Sequence, residues 1–135
     1  RALLVGAGGA GSAIALALLD AGVATLAIHD ADNTRRDALI ARLSARYPGR
    51  VAIGSSDPTG CTFIANATPA GMRDGDPLPL KVEPLQPTMF VGDVITVPEV
   101  TPLLAAARRA GCTTQTGVGM FNEVAKLVVA FYAER

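Results

Sequence analysis

The sequence predicts an α/β domain: a doubly wound, mainly parallel six-stranded sheet with helices on both faces. Three observations carry that prediction. Short apolar runs alternate with helical patterns along the chain, the first run enters a glycine-rich turn, and that turn opens directly into an alanine- and leucine-rich helix. The 135 residues make one domain, long enough to bury roughly two thirds of the surface its unfolded chain exposes.

Taken in order, Ala2–Val5 reads as the first strand, and Gly9–Ala21 as a helix ended by Gly22. Ala24–His29 is a short apolar second strand. Thr34 is placed to cap a helix over Arg35–Arg46, whose Leu39, Leu43 and Tyr47 share one face and which Pro48-Gly49 stops. Val51–Ile53 and Thr62–Ala65 follow as the third and fourth strands. The stretch from Gly71 to Pro87 holds four prolines and reads as a loop with at most one helical turn. Met89–Ile95 is the fifth strand, Pro102–Ala110 a helix ended by Gly111, and Thr113–Gln115 the sixth strand. A last helix over Glu123–Glu134 carries an apolar stripe at Val124, Leu127, Val128 and Phe131. Right-handed crossovers then favour the strand order 3-2-1-4-5-6.

Composition narrows the function. Half of the residues are hydrophobic and 18% are charged, which argues against disorder. Twelve basic and twelve acidic side chains cancel, with no basic stripe for nucleic acid and no polybasic or amphipathic anchor for a membrane. The apolar stretches are too short to span a bilayer. No signal peptide is visible, and a chain that begins inside a strand reads as part of a longer protein. A cytoplasmic location is expected. Cys61 and Cys112 lack metal or redox spacing and read as buried free thiols, and no metal site is expected.

The glycine turn is the most informative local feature. Gly6-Ala7-Gly8-Gly9-Ala10-Gly11 fits G-x-G-x-x-G between a strand and a helix, the context in which this pattern signals a Rossmann-like dinucleotide site. Gly6 permits the tight turn, Gly8 lets backbone approach a pyrophosphate, and Gly11 lets the helix pack against the strand. The phosphates would sit where free amides and the positive end of the helix dipole converge. Plain strand–helix packing can produce the same glycines, so the acid after the second strand matters. Asp30 lies 19 residues beyond Gly11, where such domains place a carboxylate for the adenosine ribose hydroxyls. A lone aspartate at a strand end is ordinarily a solvated turn residue; the spacing is what favours the ribose. Asp30 and its neighbour Asp32 would also repel a 2′-phosphate, which predicts NAD as cofactor over NADP. Arg35 is the counterweight, able to contact a phosphate or stack on adenine.

In sum these residues resemble the C-terminal, cofactor-binding domain of the shikimate/quinate dehydrogenase family. Besides the glycine turn, the resemblance rests on Asn66-Ala67-Thr68-Pro69-Ala70-Gly71-Met72, on Asp93-Val94-Ile95 leading to Pro98 and Thr101-Pro102-Leu103-Leu104, and on Gly117-Val118-Gly119-Met120. It implies reversible hydride transfer between a nicotinamide dinucleotide and a ring hydroxyl or ketone of a shikimate- or quinate-like acid. It also implies that Thr68, Pro69, Val94 and Gly117 line the nicotinamide end of the cofactor site. NADP-using members carry Asn-Arg-Thr after the second strand where this chain has Asp30-Ala31-Asp32, which resembles the NAD-preferring branch. Two substrate-facing positions depart from the family pattern: Thr96 replaces a tyrosine and Val124 a glutamine, with Asn122 or Thr96 as substitute contacts. Losing a hydrogen-bonding partner in a buried site costs about 1–3 kcal/mol and shifts substrate preference.

The family's acid/base lysine and its aspartate partner belong to an N-terminal substrate domain, which this chain lacks. The whole of residues 1–135 is therefore expected to be the dinucleotide-binding domain, inactive by itself. Lys81 and Lys126, the only lysines, read as solvated, and His29 reads as structural on the adenosine side, so no catalytic residue is expected here. Two other readings stay open: a non-catalytic dinucleotide-binding module or sensor, and a dehydrogenase of a different carbonyl substrate.

Overall fold

The computed structural model describes residues 1–119; the predicted last helix, with Asn122, Val124 and Lys126, lies outside the described residues. The order is β1 (Ala2–Val5), α1 (Gly9–Asp20), β2 (Leu26–His29), α2 (Asn33–Arg46), β3 (Val51–Ile53), β4 (Phe63–Asn66), β5 (Phe90–Asp93), α3 (Pro102–Arg109) and β6 (Thr113–Gln115). All six strands join one sheet in the order β3-β2-β1-β4-β5-β6, as expected. Every pair is parallel.

Period-two alternation decides which side chain faces which layer. Leu3 and Val5 join Ile64 and Val91 in a core covered by Leu103, Leu104 and Ala107 of α3. Ala2 and Leu4 point the other way, joining Leu26 and Ile28 beneath Ala15 and Leu19 of α1 and Leu39 and Leu43 of α2. Both faces of β1 are thus buried, so it reads as an unbroken apolar run with no alternation. The link from β4 to β5 is made of turns, without a helical turn. Its prolines forbid a helix. Leu80 and Leu85 within it plug the core where a crossover helix would pack. Cys61 and Cys112 are buried free thiols.

One predicted cap moves. The N-cap of α2 is Asp32, not Thr34: its carboxylate accepts the Arg35 amide at 3.1 Å, and the helix begins at Asn33. Asp32 suits the cap because it is held extended, its own amide donating to Asp30 at 2.9 Å. At the far end of α1, the Arg50 guanidinium donates to the carbonyls of Leu19 and Val23 at 2.8 and 2.6 Å, tying the last turn of the helix to the segment that follows it. This clamp holds α1 from the end opposite the glycine turn. No helix among the described residues is long and apolar enough to cross a membrane.

Candidate cofactor site

The first element of the site is the step from β1 to α1. Gly6 has φ +108°, a left-handed conformation that side-chain-bearing residues rarely adopt, and its amide donates to the His29 carbonyl at 2.8 Å. A Cβ at Gly6 would come within 2.8 Å of the Ala67 carbonyl carbon. A Cβ at Gly11 would collide with the Gly6 carbonyl oxygen. Gly6 and Gly11 are therefore required by the packing of α1 and β4 onto the end of β1. Gly8 differs, since a Cβ there would meet nothing within 4 Å. No protein contact asks for glycine at position 8, whereas a ligand drawn close to the backbone would. Gly8 caps α1 without a side-chain bond, the first turn holds no acid, and Gly9 and Ala10 are exposed. The start of α1 is thus open to solvent at Gly9 and Ala10, a setting that fits a pyrophosphate.

Asp30 follows β2 and is buried, with 4% of its surface exposed, so it is not a solvated turn residue. Its Oδ2 accepts the Ala7 amide at 2.8 Å and the Arg35 Nε–H at 3.0 Å, while Oδ1 accepts the Asp32 amide and Arg35 Nη2. The fork-to-fork pair with Arg35 is the strong form of this interaction. Burial opposes the charge, but Arg35 and the two amides outweigh it and the pKa falls to about 2. Arg35 thus engages Asp30, the arrangement that sequence reasoning did not foresee among its phosphate or adenine options. The Asp30 carboxylate ties β2 to the glycine turn and carries a full negative charge at neutral pH.

The third part lies across β1, at the ends of β4 and β5. Thr68 and Pro69 form one wall of an open cleft of ≈ 700 Å³, with Ala70, Met72, Arg73 and Asp76 continuing it. Val94 and Gly117 lie side by side: a Cβ on Gly117 would collide with the Val94 and Ile95 carbonyl oxygens. Thr96 is exposed on the following loop, and Lys81 is exposed in the proline-rich link. Two roles were not anticipated, those of Asn66 and Asp93. They face each other in the β4–β5 register, both fully buried, with Asn66 Nδ2 donating to Asp93 Oδ1 at 3.2 Å. Burial raises the Asp93 pKa against the pull of its hydrogen-bond donors. The available signal was a polar residue closing each of two apolar strands, Phe63-Ile64-Ala65-Asn66 and Phe90-Val91-Gly92-Asp93.

No protein-family model matches the chain. Individual relatives do. The NADP⁺-dependent shikimate dehydrogenase of Streptomyces avermitilis is 40% identical over 126 residues, which is 89% of this chain and 43% of that protein. The quinate dehydrogenase of Corynebacterium glutamicum, solved in complex with NAD, superposes with a TM-score of 0.77 at 34% identity, over 88% of this chain and 44% of that one. The chain belongs to the shikimate/quinate dehydrogenase family, as a partial match to roughly its C-terminal, NAD(P)-binding half. It spans less than half the length of the relatives it matches. The ligand-free 5-ketofructose reductase of a Gluconobacter strain superposes equally well, with a TM-score of 0.79 at 33% identity, over 90% of this chain and 46% of that one. Likeness across the shikimate/quinate dehydrogenase family and this reductase leaves the substrate and the choice of NAD or NADP to the site itself.

Within this shikimate/quinate dehydrogenase-like domain, Asp30 makes a pH-dependent contribution whose sign follows from its shift. A carboxyl in the unfolded chain titrates near 3.8, and Asp30 in the folded chain near 2. Its stabilisation is complete above the unfolded value and is lost as pH falls through the folded one. Because the Arg35 side chain is 54% exposed, the contribution is about 1–2 kcal/mol after allowance for solvent screening. Urea unfolding of the wild type and Asp30→Asn is expected to differ by that amount at pH 6 and to converge near pH 2. A gap that stays constant over this range would contradict the ion-pair origin.

Proposed function

We propose that this chain is the cofactor half of an NAD-preferring dehydrogenase that interconverts a ring hydroxyl and a ketone of a shikimate- or quinate-like acid. The observation that carries the cofactor choice is the buried, ionised Asp30, joined to the amide of Ala7 inside the glycine turn. In this reading the amides of Gly8–Gly11 hold the pyrophosphate and Asp30 accepts the adenosine ribose hydroxyls. The same carboxylate opposes a 2′-phosphate, whose nearest cation, Arg35, is already paired. Thr68, Pro69, Val94 and Gly117 form the wall for the nicotinamide. When bound, the nicotinamide supplies hydride acceptance and donation. What the chain itself supplies is orientation: backbone at the strand ends to seat a flat ring, and small residues to leave room for it.

The proton-transferring groups come from a separate substrate domain in this account, because Lys81 is exposed in the proline-rich link and His29 sits on the adenosine side. The test is an assay of the full protein carrying this chain, with quinate and shikimate at alkaline pH. NAD reduction is expected with at least one of them. Absence of turnover on both acids with NAD and with NADP would overturn the substrate reading. A second reading has a specific basis in the likeness to a 5-ketofructose reductase and in Thr96, which puts a small exposed hydroxyl where the family pattern has a tyrosine. On that reading a keto sugar replaces the cyclic acid and the cofactor half is unchanged. Turnover of 5-ketofructose in the absence of turnover on quinate or shikimate would decide for it.

A further inference from the structure

At the ends of β4 and β5 the polar groups form one chain of hydrogen bonds. It starts at the N-terminus of α3, where Thr101 Oγ1 accepts the Leu104 amide at 3.2 Å as a helix cap and donates to Asp93 Oδ2 at 2.9 Å. Asp93 Oδ1 accepts the Ile95 amide at 3.1 Å and Asn66 Nδ2 at 3.2 Å. Asn66 then turns to its own loop: Oδ1 accepts the Thr68 amide at 3.0 Å and the Thr68 hydroxyl at 2.7 Å. Nδ2 also donates to the Thr68 carbonyl at 3.3 Å. Finally, Thr68 Oγ1 accepts the Ala70 amide at 3.2 Å.

The directions of these bonds are determined. A backbone amide can only donate, so the Thr68 amide assigns Asn66 Oδ1 as acceptor and turns Nδ2 toward Asp93. The Ile95 amide likewise keeps Asp93 Oδ1 an acceptor. Asn66 and Asp93 are fully buried and Thr101 is 1% exposed. Among the described residues no buried side-chain nitrogen or oxygen lacks a partner. A satisfied buried network of this kind fixes one geometry, because any rotation strands a buried polar atom without a partner. The loop is also seated at its other end: a Cβ at Gly71 would touch Ile95 Cδ1 at 3.4 Å and Thr101 Cβ at 3.7 Å. Both ends of the Asn66–Gly71 loop therefore rest on the same Asp93–Ile95–Thr101 platform, and the segment between them is the Thr68–Pro69 wall of the cleft.

We infer that Asn66, Asp93 and Thr101 are positioning residues that set the Thr68–Pro69 wall, and through it the hold on the nicotinamide half of the cofactor alone. The inference rests on the proposed dinucleotide site. With the ribose acid at the end of β2 and the pyrophosphate at β1, a dinucleotide lying across the switch point puts its other half over β4 and β5. Asp30 and the glycine turn, which in that reading hold the ADP-ribose half, make no side-chain hydrogen bond to Asn66, Asp93 or Thr101; Gly6 meets the loop only by packing against Ala67 and Thr68.

The test compares two ligands that differ only by the nicotinamide end. Calorimetric titration with NADH and with ADP-ribose, on the wild type and Asn66→Ala, is expected to show NADH binding weakened about tenfold and ADP-ribose binding changed less than about twofold. A residue that merely supports the fold would weaken both ligands together, so equal losses overturn the inference. Unchanged NADH affinity in a folded Asn66→Ala also overturns it. Should Asn66→Ala fail to fold, Thr101→Val keeps the β-branched shape outside the cleft and removes only the hydroxyl's bonds to Asp93 and Leu104, and the same two-ligand comparison decides. Wild-type protein that binds neither ligand would instead sink the proposed cofactor site, a result distinct from either outcome for the variants.

Discussion

Gly11→Ala is expected to lower the melting temperature by about 10 °C and to abolish NADH binding. The added Cβ collides with the Gly6 carbonyl oxygen and comes within 2.8 Å of its carbonyl carbon. Both are backbone atoms, so no side-chain rotation can relieve the clash. Either α1 lifts from the end of β1 or the turn deforms. Overpacking of this kind costs about 3 kcal/mol, which for a domain of this size corresponds to roughly 10 °C. Lifting α1 also displaces the amides that would hold the pyrophosphate, so binding falls with stability. Gly9→Ala is the matched control for stability, since a Cβ there meets nothing within 4 Å. A Gly11→Ala protein that melts with the wild type would contradict the close approach of α1 to β1.

Asp30→Ala carries the second large effect. In the proposed role of Asp30, removing the carboxylate would take away the acceptor for the ribose hydroxyls and the charge that opposes a 2′-phosphate. A unit charge facing a phosphate of nearly two charges at about 6 Å costs about 1.4 kcal/mol even with the dielectric of water, a factor of about ten. It also frees Arg35, whose Nε and Nη2 both bond Asp30 at 3.0 Å. NADH affinity is expected to fall about tenfold while NADPH affinity holds or rises, so the preference moves toward NADPH by at least an order of magnitude. Titrating both cofactors against the wild type and the variant reads this directly. An unchanged ratio would remove Asp30 from cofactor selection and leave it as a tie between β2 and the glycine turn.

These effects differ in how far the sequence announces them. The strand order and the glycine turn were legible because local rules suffice: an apolar run, a positive-φ glycine and a helix opening leave few alternatives. The position of Asp30 was legible from its spacing, but its pairing was not. The Arg35 guanidinium reaches Asp30 only because α2 starts at Asn33, and that start depends on Asp32 capping in place of Thr34. Residue by residue, both threonine and aspartate are good caps, and the choice between them is tertiary. Asn66 and Asp93 are plain in the sequence as polar ends of apolar strands. Their partnership follows only from the parallel register that sets β4 beside β5. Nothing local to either strand encodes that neighbour, so the hydrogen-bond chain that runs from Thr101 to Thr68 stayed hidden.

In the proposed function the turn from Gly6 to Gly11, with Asp30 beside it, is an NAD site. Calorimetric titration of the 135-residue chain with NADH and then NADPH at neutral pH tests it most directly. Saturable one-to-one binding of NADH is expected, with NADPH at least tenfold weaker, in line with the charge on Asp30. Equal or tighter binding of NADPH would contradict the role given to Asp30, and no binding of either cofactor would contradict the site.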